Sequence, residues 1–303
     1  MKSNVKQSKC EAAFTIVELL TVMSIIVILI GLLVPALNKV KQYAYEVKQQ
    51  AQFHSIDAAI ELFNSEFDGY PPSDARDPIG QPYCGAMKLC EAMMGRDLMG
   101  FHPDSVFRSD GLGSGGNQQL YPPQGDPRYE NSLSARKGPY LPLENANAYQ
   151  LRDLYANVGP FAGEHFVLCD VFRRVTHITS GQRVGMPILY YRADTAKTLH
   201  DIDTPDNSQN IYDYTDNHEL VKLGKPFDPG PGGSPHRLAV EQGHPEGFRF
   251  YMNTTNDKML ATTTAAVRPY RADTYILISA GYDGEYGTPD DICNFDWRYR
   301  EQP

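Results

Sequence analysis

The sequence has few basic residues and few cysteines for its length. Its 303 residues include 28 lysines and arginines against 37 aspartates and glutamates, which gives a formal net charge of −9. Nonspecific nucleic-acid binding needs a basic face, so this acidic balance argues against nucleic acid as the main partner. The cysteines are Cys10, Cys84, Cys90, Cys169 and Cys293. A disulfide between Cys84 and Cys90 can form if the body of the chain lies outside the cytoplasm. The alternative is that these cysteines are buried free thiols.

Catalytic and cofactor motifs are also scarce. The eight histidines form no H-E-x-x-H pattern, and neither G-x-S-x-G nor a Walker lysine motif occurs. The glycines from Gly111 to Gly116 formally fit G-x-G-x-x-G, but no hydrophobic strand precedes them and no amphipathic helix follows. His165, Cys169 and Asp170 are such close neighbours in sequence that a catalytic triad is not expected. We therefore expect a protein without enzyme activity.

The most informative feature that is present is one long apolar run near the N-terminus. Residues 14–37 are almost entirely apolar, and about 20 helical residues cross a hydrocarbon core. A secretory signal would have a shorter apolar core followed by its cleavage site, whereas here the small pair Ala12-Ala13 precedes the run. Residues 1–13 are therefore expected to be a leader and residues 14–37 a membrane helix. Lysines on both flanks leave the orientation undecided.

The apolar run contains one charge, Glu18, and one proline, Pro35. A carboxylate in a membrane helix is costly, so it is expected to serve a function, and assembly with other chains is one. Pro35 lacks a backbone N–H and is expected to bend or loosen the helix.

Helical periodicity continues beyond the membrane segment, over residues 38–67. The apolar positions that share one face are Leu37, Val40, Ala44, Val47, Ala51, Ala58 and Leu62. This amphipathic pattern predicts that the helix packs on a globular domain formed by residues 68–303. The Asp68-Gly69-Tyr70-Pro71-Pro72 segment should end it. The sequence thus predicts one helix of about 50 residues, half in lipid and half against the domain.

The N-terminal segment resembles the methylation motif of type IV pilins and type II secretion pseudopilins. The residues that match are Phe14-Thr15-Ile16-Val17-Glu18-Leu19-Leu20. The resemblance implies that a prepilin peptidase cuts between Ala13 and Phe14 and methylates the new amine. It also implies that Glu18 pairs with the Phe14 amine of a neighbouring subunit, and it places Pro35 where many members have a proline. The family usually has glycine before the cut, where this chain has Ala13.

A second informative stretch lies near the C-terminus. Residues 275–278 are expected to form a short buried strand, and an acidic, glycine-rich loop follows over residues 279–292. Its carboxylates repel one another unless a cation holds them, and calcium prefers about six to eight oxygen ligands. The EF-hand spacing is absent. A solvated acidic turn is the alternative.

This loop is similar to the calcium loop of the major pseudopilin of type II secretion. The matching residues are Ser279, Gly281, Asp283, Gly284, Asp290, Asp291, Ile292, Asn294 and Trp297, the last two separated by two inserted residues. The resemblance implies a structural calcium ion with side-chain ligands at Asp283, Asp290 and Asp291. Backbone carbonyls near Ala280 and Thr288 would complete the set.

The middle of the chain is less informative. Residues 74–131 and 194–247 are rich in glycine, proline, asparagine and aspartate, so we expect long loops there. Residues 188–191 and 248–252 are expected to be strands. The fold implied is α+β and type IV pilin-like, with a long N-terminal helix packed on an antiparallel sheet that carries large loop insertions.

The function expected from these features is that of a pseudopilin-like subunit of a type II secretion apparatus. Its partners would be prepilin peptidase, membrane lipid, copies of itself in a helical filament, other pseudopilins and the inner-membrane assembly platform. It would cross the inner membrane once, with the N-terminus cytoplasmic before cleavage and the C-terminal domain periplasmic or extracellular. The alternatives are a pilin or minor pilin of a surface filament and a membrane-anchored enzyme or binding protein. The calcium-like loop favours the first reading.

Overall fold

The computed structural model describes residues 15–228, 234–240, 243–256 and 267–296. Its helices are α1 (Ile16–Phe67), α2 (Gly85–Met94), α3 (Tyr129–Ala135), α4 (Leu143–Ala146), α5 (Leu151–Leu154), α6 (Thr215–Val221), α7 (Phe248–Thr254) and a 3-10 helix (Arg237–Ala239). Its strands are β1 (Ala148–Gln150), β2 (Phe166–Leu168), β3 (Val175–Thr176), β4 (Arg183–Val184), β5 (Leu189–Arg192), β6 (Tyr275–Ser279) and β7 (Ile292–Cys293). The expected leader, Ala13, Phe14 and Trp297 lie outside the described residues. The chain divides after Ala44 into an N-terminal unit and a body that begins at Tyr45.

The predicted long helix is confirmed. Helix α1 runs for 52 residues and stays helical through Pro35. It ends before Asp68, which adopts a left-handed conformation with φ of 55°. Within the N-terminal unit every helical residue from 16 to 41 is exposed. The helix is long and apolar enough to cross a membrane.

The part of α1 that belongs to the body packs through a different face from the one predicted. Its buried residues are Gln49, Gln52, Phe53, Ile56, Ala59, Ile60 and Phe63. The predicted face is wrong here, because Val47, Ala51, Ala58 and Leu62 are exposed. Both sets have helical spacing, and the buried set includes two glutamines that polarity alone assigns to solvent. Gln52 donates from Nε2 to the carbonyls of Asn145 and Cys169, each at 2.9 Å, which explains how it can be buried.

The strands form three small antiparallel sheets rather than one larger sheet. Strand β1 pairs with β2, β3 pairs with β4, and the third sheet has the order β5-β6-β7. In the third sheet Tyr190 lies opposite Leu277, and Ser279 lies opposite Ile292. Strand β6 is buried at all five positions, as expected for a central strand. The expected strands at 188–191 and 275–278 are therefore confirmed, and the α+β class with them.

The prediction of a long loop over residues 74–131 is wrong at residues 85–94, which form α2, and at residues 129–131, which begin α3. All ten residues of α2 are buried, and the helix contacts β2, β5 and α6. A Cβ atom on Gly85 would lie 2.3 Å from the Tyr190 carbonyl oxygen, so only glycine permits this approach. Asn217 on α6 joins the three elements, since it donates to Tyr190 O (2.6 Å) and accepts from the Ala86 amide (2.8 Å). The helix contains Lys88 and Glu91, which polarity alone assigns to solvent, but both are buried with partners outside the helix.

Two further predictions in the second half of the chain are wrong. The expected loop over residues 194–247 contains α6 and the 3-10 helix, and the expected strand over residues 248–252 is part of α7. The alternation of Phe248, Phe250 and Met252 resembles a strand, but all seven residues of α7 are buried. The Thr254 hydroxyl donates to Phe250 O (2.8 Å), as threonine does at i−4 in a helix.

The cysteines of the body are thiols, and the Cys84–Cys90 disulfide considered above is not formed. Cys84 caps α2 and Cys90 lies within it, both buried. Six residues of helix separate their Cα atoms by about 9 Å. This exceeds the roughly 7 Å that a disulfide can bridge.

Candidate functional site

The first candidate site is the N-terminal end of α1, where Thr15 and Glu18 form a reciprocal capping box. The Thr15 amide donates to Glu18 Oε2 (2.9 Å), and the Glu18 amide donates to Thr15 Oγ1 (3.3 Å). The Thr15 hydroxyl also donates to Glu18 Oε2 (2.7 Å). Such a box satisfies N–H groups that have no acceptor within the helix. Glu18 therefore has a local role that the resemblance to pilins does not imply.

The other polar side chains of the apolar half are satisfied within the helix. The Thr21 hydroxyl donates to Val17 O (2.8 Å), and the Ser24 hydroxyl donates to Leu20 O (2.7 Å). In lipid every polar group needs such an internal partner. Pro35 has no N–H for the carbonyl of Gly31, and a Cβ atom on Gly31 would meet nothing within 4 Å. This half thus presents an almost continuous apolar surface with Glu18 at its start.

The second candidate site is the loop between β6 and β7, which contains the expected calcium ligands. Asp290 accepts from the Asp283 amide at Oδ2 (2.8 Å) and from the Thr288 hydroxyl at Oδ1 (2.7 Å). Asp283 accepts from the Glu285 amide (2.7 Å). Gly281 has a φ of +63°, and a Cβ atom there would lie 2.0 Å from Asp290 O. The loop therefore folds back on itself and brings Asp283 and Asp290 together.

The carboxyl groups of Asp283 and Asp291 at this turn are difficult to ionise. Burial, and then the neighbouring Asp290, raise the pKa of Asp283 to about 6. Burial also raises the pKa of Asp291 well above its usual range. Two carboxyl groups held this close ionise together only with difficulty, and a divalent cation would remove that difficulty.

Basic side chains form ion pairs with the neighbouring Glu285 but not with the carboxylates of Asp283 and Asp290. Glu285 forms ion pairs with Lys225 (2.9 Å) and Arg237 (3.6 Å). Arg174 donates from Nε to the carbonyl oxygen of Asp283 (3.2 Å), not to its carboxylate. Glu285 is thus neutralised within the chain, whereas Asp283 and Asp290 are not paired with a base in the described residues.

The residues fit a calcium ion in part. Asp283 and Asp290 converge, and both offer the hard oxygen ligands that calcium prefers. Asp291 Oδ2 accepts from the Gly287 amide (2.7 Å), and the Thr288 carbonyl accepts from the Asp291 amide (3.2 Å). In the part of the chain that the structure describes, no three His, Cys, Asp or Glu side chains are grouped as metal ligands. The arrangement therefore supplies two of the expected carboxylates side by side.

Sequence reasoning missed the residues that tie this loop to α1. Asp57 on α1 accepts from the Tyr275 hydroxyl (2.8 Å) and from Asn294 Nδ2 (3.2 Å). Asn294 also accepts from the Leu277 amide through Oδ1 (2.9 Å). The two strands that flank the loop are thereby anchored to Asp57 of α1, at the ends away from the loop. These partners are more than 200 residues apart in sequence, and no local pattern joins them.

No protein-family model, no curated protein and no solved structure matches this chain.

Proposed function

We propose that this chain is a pseudopilin-like subunit that assembles through its N-terminal helix in a type II secretion apparatus. The observation that carries the proposal is α1 itself. One 52-residue helix begins at a motif with Glu18 and exposes its whole apolar half. It then continues into the body, where it buries a face in the hydrophobic core. Such an apolar surface needs lipid or other helices around it.

The proposed life cycle follows from this arrangement. Prepilin peptidase would cut between Ala13 and Phe14, leaving a single-pass subunit in the inner membrane with its body in the periplasm. Copies of the chain, with other pseudopilins and the assembly platform, would then bundle their apolar helices into a filament. A repeated head-to-tail contact of this kind builds an open helix.

Glu18 would serve both the capping box and assembly. A carboxylate within a bundle of apolar helices needs a cationic partner, and the amine of Phe14 on a neighbouring subunit would supply it. The capping bonds use Glu18 Oε2 only as an acceptor, and the side-chain carbonyl of a glutamine can accept the same bonds without a charge. Charge and hydrogen bonding can therefore be separated by substitution.

Processing is tested by the mass and N-terminal sequence of the mature protein isolated from membranes. A methylated Phe14 terminus is expected. An intact Met1, or a cut after the apolar run, would contradict the proposal.

Assembly is tested with Glu18→Ala and Glu18→Gln, scored by membrane fractionation and electron microscopy of filaments. We expect both variants to insert in the membrane and neither to assemble, since glutamine keeps the hydrogen-bond acceptor but not the charge. The matched control is Thr15→Ala, which loses the cap, keeps the charge and should still assemble. Normal filaments from Glu18→Gln would reduce Glu18 to a capping residue.

We also propose that the loop over residues 279–292 binds calcium, with Asp283 and Asp290 as its first ligands and Asp291, Ala280 O and Thr288 O completing the set. The support is the converging, uncompensated pair of carboxylates. The full chain in detergent should gain thermal stability with calcium and lose the gain with a chelator. Asp283→Asn should abolish the gain, and Asp203→Asn, at an exposed aspartate elsewhere, should leave it intact. An equal response in all three proteins would contradict the site.

A further inference from the structure

A basic cleft on the body is lined by none of the proposed calcium ligands and by no residue of the first turn of α1. Its volume is about 300 Å³, and three cationic side chains line it, those of Lys48, Arg173 and Arg183. They come from α1, from the turn before β3, and from β4. In a chain with a net charge of −9, three cations around one cleft stand out. We propose that this cleft binds a phosphate group.

The cations at the cleft are not neutralised by the chain. Among the described residues none of the three forms an ion pair, and the one hydrogen bond from these side chains runs from Arg183 Nη1 to the Arg174 carbonyl (3.0 Å). Their charges are therefore available to an anion from outside. Arginine offers a planar fork of N–H donors that matches the oxygens of phosphate and carboxylate groups alike. A phosphate monoester carries about −1.5 to −2 charge at pH 7, so it balances three cations more fully than a single carboxylate does.

The single acid at the cleft, Asp170, already has partners. Its Oδ1 accepts from the amides of Phe172 and Met186, both at 3.1 Å. Its Oδ2 accepts from the Ser279 hydroxyl (3.0 Å). Asp170 is buried. Its hydrogen bonds hold the segments of the cleft floor together and do not pair with the three cationic side chains.

The cleft is a built feature of the fold. A Cβ atom on Gly185 would lie 1.9 Å from the Asp170 carbonyl oxygen, so glycine allows the two segments of the floor to meet. Arg173 and Asn147, both lining residues, adopt left-handed conformations with φ of 55° and 43°. Non-glycine residues take this conformation at a cost that the surrounding structure must support.

A buried glutamine supports the wall of the cleft from behind. Gln49, next to Lys48 on α1, is fully buried and accepts from the amide of the lining residue Val171 (3.0 Å). Its Nε2 group has no acceptor in the described part of the chain. Gln49 does not line the cleft itself, so its part is to hold the wall through Val171.

The test uses the full-length protein in a neutral detergent and a phosphate-free buffer. Inorganic phosphate is titrated at constant ionic strength, with chloride as the reference anion, and both heat of binding and thermal stability are recorded. Saturable binding is expected. Arg173→Gln and Arg183→Gln should each weaken it about tenfold or more, the effect of one charge-assisted hydrogen bond.

Two further variants keep the result interpretable. Gln182→Glu places a carboxylate at the cleft without removing a cation, and it should also weaken phosphate binding. Arg152→Gln removes an exposed arginine elsewhere and should bind phosphate as the natural chain does. Absence of saturable binding, or an equal loss in Arg152→Gln, would overturn the proposal.

A second arm distinguishes a free phosphate from a lipid headgroup. Short-chain phosphatidic acid and phosphatidylcholine are compared below their micellar concentrations. Binding of phosphatidic acid at least about tenfold tighter than inorganic phosphate, and lost in Arg173→Gln, would assign the cleft to a phospholipid headgroup. Equal affinities would assign it to the phosphate group alone.

Discussion

The two halves of α1 belong to one continuous helix and have opposite surroundings. From residue 16 to residue 41 no side chain is buried, whereas the half within the body buries Phe53, Ile56, Ile60 and Phe63 almost completely. The N-terminal half satisfies its few polar groups locally, through the capping box and the hydroxyls of Thr21 and Ser24. The body half uses buried glutamines to reach other segments.

This difference separates two sources of stability. The body half gains its stability within one chain, since its apolar face is removed from water by its own fold. The exposed half gains nothing from its own fold and requires an apolar medium from outside. A substitution should therefore have an effect on folding in one half and an effect on insertion or assembly in the other.

The largest expected effect is the difference between an isoleucine-to-alanine substitution in one half of this helix and the same substitution in the other half. Ile56→Ala, at a fully buried site, should lower the free energy of unfolding of the detergent-solubilised chain by about 3 kcal/mol. Ile28→Ala, at a site that is 62% exposed, should leave it unchanged within about 0.5 kcal/mol. Denaturant unfolding followed by circular dichroism measures both. Equal losses in the two variants would end the distinction between the halves.

The helix itself and the strands β5 and β6 could be predicted from sequence because each has a local signal. The apolar run, the Gly69-Tyr70-Pro71 stop and the compact apolar segment at 275–278 require no knowledge of partners. The buried face of α1 could not be predicted, since apolar residues occur at helical spacing on two faces. Gln52 is buried because its amide donates to the carbonyls of Asn145 and Cys169, which belong to distant segments of the chain.

Some features of the candidate sites could likewise be predicted from sequence, and others could not. The motif around Glu18 and the acidic loop are contiguous in sequence, so their chemistry could be proposed before the fold was known. The link from Asp57 to Asn294 and the cleft around Arg173 depend on segments brought together from distant parts of the chain. Helix α2 escaped prediction because its charged residues, Lys88 and Glu91, are buried with partners from outside the helix.

An intermediate effect concerns the pH dependence of stability, which should arise in the body alone. Burial raises the pKa of Asp216 from 3.8 to about 8, and the Ser73 hydroxyl donates to its carboxyl group. In the unfolded chain this group is ionised above pH 4, while the folded chain keeps it protonated up to about pH 8. The folded state therefore binds the extra proton, and its stability falls as pH rises from 4 to 8 and then levels off.

Asp216→Asn should flatten this dependence by about 1.4 kcal/mol per pH unit, and it should be more stable than the natural chain at pH 8. Asparagine can still accept from the Ser73 hydroxyl, so packing is retained. The measurement is a series of unfolding curves from pH 5 to pH 8. The same series on Asp203→Asn, at an exposed aspartate, serves as the control. Parallel curves for all three proteins would contradict a buried, protonated Asp216.

The smallest expected effect lies at the start of the exposed half. Thr15→Ala removes the Oγ1 acceptor of the Glu18 amide and the hydroxyl donor to Glu18 Oε2. An N-cap substitution of this kind costs about 1 kcal/mol, and its influence ends within the first turn. Hydrogen exchange at the amides of Glu18 and Leu19 should therefore quicken about fivefold in micelles. Thr21→Ala, whose hydroxyl donates to a carbonyl within the helix, should leave these amides unchanged. If Thr15→Ala leaves them unchanged as well, the capping box does not hold this end of the helix, and Glu18 is left with assembly as its one role.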